Sequence, residues 1–135
     1  MNEDDCLERF GLPPNASDAD EIRDILFREG DKERQQQGQG NTELMKLCCV
    51  QLFSLGDVQD SLLIWGAKTS SSDASYSIDV RLLCGAGLEE TKAFLVAAGA
   101  SQALARVVEC ERAGNFEEFS PESQLEWYRR YYGTN

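Results

Sequence analysis

The chain is 135 residues long, with 24 acidic and 13 basic side chains and no histidine, a formal net charge of −11. That length suits a single domain and suffices to bury a core without disulfides or a structural metal, while the charge disfavours phosphate backbones and anionic lipid and points to a basic partner. Without imidazole, Ser-His-Asp and Cys-His arrangements and His-ligated catalytic zinc are excluded, so catalysis would rest on carboxylates or an unassisted thiol.

Residues 1–38 hold 11 acids against 5 bases, more than half of the net charge in little over a quarter of the length. The opening Met-Asn-Glu-Asp-Asp lacks the basic and apolar regions of a secretory signal, and no apolar run approaches membrane-spanning length, so a cytoplasmic protein is expected. After the turn at Leu12-Pro13-Pro14-Asn15, Ser17 or Asp18 is placed to cap a helix over residues 19–28, with Ile22, Ile25 and Leu26 as its apolar stripe and Asp18, Asp20 and Glu21 at its positive end. Residues 30–40 lose all hydrophobic side chains while glycine recurs, which predicts a mobile polar loop, either throughout or with a frayed helical piece at Lys32 to Gln37. Residues 1–40 are therefore read as an acidic helix plus loop, and 41–135 as the core of one domain.

From Asn41 the rows Leu44, Cys48, Leu52 and Met45, Cys49, Phe53 make a helix apolar over most of its circumference, the expected central helix. Gly56 and Asp57 turn the chain into a second helix over 58–68, carrying Val58, Leu62 and Trp65, which so short a turn would pack antiparallel to the first. The small polar run 69–75 predicts a linker or functional loop. Tyr76, Val80 and Leu83 then recur at helical spacing; the run 78–83 is short enough for a strand, and helix is preferred. Gly85-Ala86-Gly87 breaks it. Helices follow over 88–98 and 101–113, separated by Gly99, and Ser120-Pro121-Glu122 opens a last helix bearing Trp127, Tyr128, Tyr131 and Tyr132. The expectation is an all-α chain of about seven helices packed as antiparallel hairpins, an irregular bundle or short α-solenoid. The turns LGDV at 55–58 and AGNF at 113–116 resemble those of tetratricopeptide-like repeats, but lie 58 residues apart, not one period of about 34.

The five cysteines, Cys6, Cys48, Cys49, Cys84 and Cys110, are odd in number, form no CxxC pair and mostly sit in apolar stretches, so they read as buried thiols of a reducing compartment. Cys48 and Cys49 would point to different faces of one helix, and Cys-Gly-Ala-Gly at 84–87 reads as a breaker, since Glu89 and Glu90 already occupy the following helix start. No metal site and no cofactor are indicated. Asp79 interrupts an apolar run and either faces solvent or pairs with Lys68 or Arg81. Trp127 and Tyr128 are assigned to the core, while Tyr131 and Tyr132 are divided between core and binding edge.

The segments LLIWGAK at 62–68 and SIDVRLLCGAGLEET at 77–91 resemble a pattern in small acidic bacterial proteins of unassigned activity, over roughly residues 41–118. In size, acidity and helical character the chain also resembles immunity proteins of bacterial toxin systems. That resemblance implies a non-enzymatic inhibitor occluding a basic partner such as a nuclease toxin; from their places in the chain, Asp20, Glu21 and Asp24 of the acidic helix, Asp73 and Asp79 near the central loop, and Tyr131 and Tyr132 are the contact residues expected. The rival readings are a helical-repeat scaffold that binds a peptide or associates with itself, and an enzyme built on carboxylates or Cys84.

Overall fold

The computed structural model describes residues 1–134. Their order is α1 (Glu3–Phe10), a 3₁₀ turn (Ala16–Asp18), α2 (Ala19–Gln35), α3 (Thr42–Leu55), α4 (Asp60–Lys68), α5 (Ser72–Ser77), a second 3₁₀ turn (Val80–Cys84), α6 (Leu88–Ala97), α7 (Ser101–Arg112) and α8 (Pro121–Tyr131). The architecture is all-helical, with no strand among the described residues. The central helix is the one expected: α3 buries Leu44, Met45, Leu47, Cys48, Cys49, Val50, Leu52 and Phe53, and is flanked by α1, α2, α4, α5, α8 and the second 3₁₀ turn. A helix apolar on every side must be surrounded, and this one is. Its most extensive partner is α2, and α4 leans on α2 and on the 3₁₀ turn more than on α3. The α6–α7 pair meets the rest chiefly through that same 3₁₀ turn.

Four boundaries differ from the expectation. Residues 3–10 form a helix whose start is a capping box between Asn2 and Asp5 and whose inner stripe is only Cys6 and Phe10, too few apolar residues to stand out in an acidic segment. Helix α2 runs through Gly30 to Gln35 because Gly30 is buried against Ala67 of α4, which outweighs the glycine's low propensity. The linker expected at 69–75 holds α5, capped by the Ser71 side chain accepting from the Ala74 amide at 3.1 Å. Residues 80–84 are neither α-helix nor strand but a 3₁₀ turn capped by Asp79, with Val80, Leu82, Leu83 and Cys84 all buried. A turn this tight with four buried side chains out of five has neither the 3.6- nor the 2-residue period.

Two buried charges hold the non-helical backbone. Glu33 accepts from the amides of Gly38 at 2.9 Å and Gly40 at 3.1 Å and from the Ser71 hydroxyl at 2.6 Å. Glu29 accepts from the Asn41 amide at 3.0 Å, so the segment after α2 is tied at three points instead of the mobile loop expected. The Lys68 ammonium donates to the carbonyls of Ser75 and Ile78, closing the C-terminal end of α5 with a cation where the helix dipole favours one. Asp79 therefore pairs with Arg81, at 2.7 Å, while Lys68 is spent on main-chain carbonyls.

Candidate protein-binding face

Helix α8 begins at Ser120, whose side chain accepts from the Ser123 amide at 3.1 Å, with proline in the first turn. From that start the helical period assigns Trp127 and Tyr131 to one face and Tyr128 and Tyr132 to another. Tyr128 is buried, and burial pushes its hydroxyl up to about 12. Tyr132 is half-buried, and its hydroxyl makes no hydrogen bond within the described chain. The other pair is the exposed one: Trp127 is 50% and Tyr131 56% accessible, with the rings stacked 5.5 Å apart at 13°. Trp127 thus belongs to the surface, not to the core. The Lys46 ammonium of α3 lies 4.7 Å from the Tyr131 centroid and braces the ring from below, a cation–π contact.

Beside these rings lie the N-terminal ends of α1 and α3. Their first turns carry Glu3, Asp4 and Asp5, and Glu43, where helix dipoles favour carboxylates. The structure brings the two ends close enough that Glu3 titrates above its ordinary value, through partial burial first and then the Glu43 and Asp4 carboxylates, with Lys46 opposing. Asp4 and Glu43 make no ion pair among the described residues, and Lys46, beyond ion-pair distance, offsets this charge only in part.

On its other side Trp127 borders a cavity of about 250 Å³ lined by Asp79, Arg81, Gln124 and Tyr128. A second cavity of about 330 Å³ shares Arg81 and Gln124 and continues to Asn115, Glu117, Glu118 and Phe119. Burial acts to raise the Asp79 carboxyl, but hydrogen bonds from the Arg81 side chain and amide outweigh it and hold Asp79 below its usual range. The Asp79–Arg81 pair, 2.7 Å apart, thereby forms the polar wall of the cavity beside Trp127.

Of the acids singled out from the sequence, those on α2 are already engaged. Asp20 meets Arg23 at 2.8 Å, Glu21 meets Arg9, and Asp24 meets Arg28 at 2.8 Å. Arg23 also grips buried Asp60 through two bonds of 2.7 and 3.0 Å, which raise its pKa further. Asp73 stands exposed on the first turn of α5 and lines neither cavity. Asp79, Tyr131 and Tyr132 are gathered along α8, with Tyr132 turned partly inward. Glu3, Asp4, Glu43, Lys46 and Trp127 were missed. The available signals were the two asparagine-capped helix starts and the division of four aromatics between two helix faces, only one of which can face a core.

The five thiols are all free and buried, and burial raises Cys84 to about 12, far from a thiolate at neutral pH. Among the described residues no group of three or more Cys, Asp or Glu side chains is placed to hold a metal ion. No helix is long and apolar enough to cross a membrane. No protein-family model, curated protein or solved structure matches the chain.

Proposed function

We propose that this chain is a non-enzymatic, immunity-type inhibitor that covers a basic protein, such as a nuclease toxin, with the face formed by α8 and the N-terminal ends of α1 and α3. The observation that carries the reading is the stacked, exposed Trp127–Tyr131 pair beside first-turn carboxylates of α1 and α3 that form no ion pair among the described residues. Aromatic anchors desolvate well at low entropic cost, and unpaired acids around them select a cationic surface. A nuclease presents such a surface because it must hold phosphate, so covering it blocks substrate entry without any chemistry in the inhibitor. The compartment that fits the five free thiols is a reducing one, such as the cytoplasm.

The test is a photocrosslinking residue in place of Trp127, introduced in the source cell, followed by purification of the captured protein. The expected capture is a basic protein whose own activity is suppressed in the complex, with Tyr131→Ala and Glu43→Lys each weakening binding by about tenfold or more. Capture of an acidic protein or nucleic acid, a captured enzyme that stays active in the complex, or an affinity indifferent to both substitutions would overturn the reading.

A further inference from the structure

Two thiols on neighbouring helices meet in the core and take no part in the α8 face. Gln51 of α3 sets the arrangement: its carboxamide nitrogen donates to the Gly11 carbonyl at the end of α1, at 3.0 Å, which turns its oxygen toward Cys6. The Cys6 thiol donates to that oxygen at 3.4 Å. Cys48 stands three residues before Gln51 on the same face of α3, one helical turn away, so Cys6 lies over both side chains. Cys6, Cys48 and Gln51 are all fully buried. The hydrogen bond that Cys48 donates to Cys6 draws the Cys6 thiol below its ordinary value against burial, and together with burial it holds Cys48 above its own.

We propose that Cys6 and Cys48 are a site of reversible oxidation, closing to a disulfide between α1 and α3 when the chain meets a low-molecular-weight disulfide such as oxidised glutathione. The route in is α1 itself. Its fully buried side chains are only Cys6 and Phe10, and its ion pair, Arg9 with Glu21, is a surface pair of little strength. A helix held this lightly opens without the rest of the fold, and its lifting uncovers Cys6 and Cys48 together. Cys6 then attacks one sulfur of the small disulfide: a bond forms between the two sulfurs, and the first small thiol leaves with the Cys6 proton. As α1 swings back, Cys48 attacks the Cys6 sulfur, and the second small thiol leaves with the Cys48 proton. Two protein thiols are oxidised and one small disulfide is reduced to two thiols. Cys49 points to another face of α3, so of that adjacent pair it is Cys48 that meets Cys6.

The experiment treats the full native chain with oxidised glutathione, blocks the remaining thiols with an alkylating agent under denaturing conditions, and reads intact mass and linked peptides. The expected product has lost two hydrogens, carries three blocked cysteines in place of five, and joins the Cys6 peptide to the Cys48 peptide. Cys48→Ala stops at a glutathione adduct on Cys6, whereas Cys49→Ala closes as the parent chain does. Asn2→Ala, which removes the cap of α1, speeds closure about fivefold because it favours opening. In the oxidised chain the α1 amides exchange with solvent more slowly by about tenfold or more, and a reducing thiol restores the parent rate. Five blocked thiols after long exposure, a disulfide joining any other pair, or an adduct on Cys6 that persists in the parent chain would overturn the inference. A closure rate indifferent to Asn2→Ala would overturn the route through α1. The test needs no binding partner, so its outcome is separate from that of the α8 face.

Discussion

Glu33 illustrates how one side chain converts a polar segment into fixed structure. In the sequence it is one of many acids on an acidic helix; in the fold it is buried and accepts three hydrogen bonds from two elements. The Ser71 hydroxyl and then the Gly38 and Gly40 amides outweigh burial and hold its carboxyl below the ordinary value. A depressed carboxyl pKa contributes stability that is complete above the unfolded-state value and is lost as pH falls through the folded one. Glu33→Gln is therefore expected to cost about 1–3 kcal/mol at neutral pH, measured by urea denaturation, and the gap from the parent chain should close as the medium becomes more acidic than the unfolded-state carboxyl. Trp127 and Tyr128 make the complementary point. They are neighbours of similar hydrophobicity, and nothing about either residue alone says that Tyr128 is buried while Trp127 stacks outside on Tyr131.

Among the elements, helix starts were the most legible, because a cap is a local event. Asn41 accepts from the Leu44 amide at 3.0 Å and Ser120 from Ser123 at 3.1 Å, both at or next to the expected boundary. The least legible element was the 3₁₀ turn at Val80–Cys84, whose geometry is imposed by its neighbours. Gly85, just beyond it, lies on the α3 backbone: a β-carbon there would fall 2.5 Å from the Phe53 carbonyl oxygen and 3.1 Å from its Cα. Those atoms belong to the central helix and have nowhere to go. Gly85→Ala is thus expected to destabilise by about 1–3 kcal/mol through overpacking. At Gly66 of α4 a β-carbon would meet only Arg34 Nη2, at 3.9 Å, so Gly66→Ala gains up to about 1 kcal/mol of helix propensity. Thermal unfolding of the two variants should move in opposite directions. The breaker assigned to Cys-Gly-Ala-Gly thereby acquires a cause, the close approach of two main chains.

At the scale of the whole molecule the charge of −11 is unevenly answered. The bases of the N-terminal third are occupied: Arg9, Arg23, Arg28 and Lys32 each meet a carboxylate on or near α2. Carboxylates without an ion pair among the described residues stand at the α1 and α3 starts, next to the exposed aromatics of α8, and also at Glu90, Glu117, Glu118, Glu122 and Glu126. Stopped-flow association with the basic partner is expected to slow steeply as ionic strength rises, while dissociation, governed by Trp127 and Tyr131, changes little. An association rate flat in salt would remove the electrostatic part of the proposed function.

The all-helical class, the central helix and the Ser120 cap followed from residue order, because each depends on side chains within about one turn of one another, whereas α2 has no side-chain cap from Asp18 and α4 starts at Asp60, past the Asp57 cap expected for it. The burial of the cysteines followed in the same way from the apolar company they keep in the chain. The tertiary structure decided everything that depends on residues far apart in sequence. It set which acids are neutralised by distant bases, as Arg23 neutralises Asp60, and which aromatic face of α8 is left outside. It also brought the Cys6 thiol to Gln51, 45 positions along the chain. Local periodicity specifies which side of a helix is apolar; only packing specifies which other element meets that side, and hence what is left on the surface to meet another molecule.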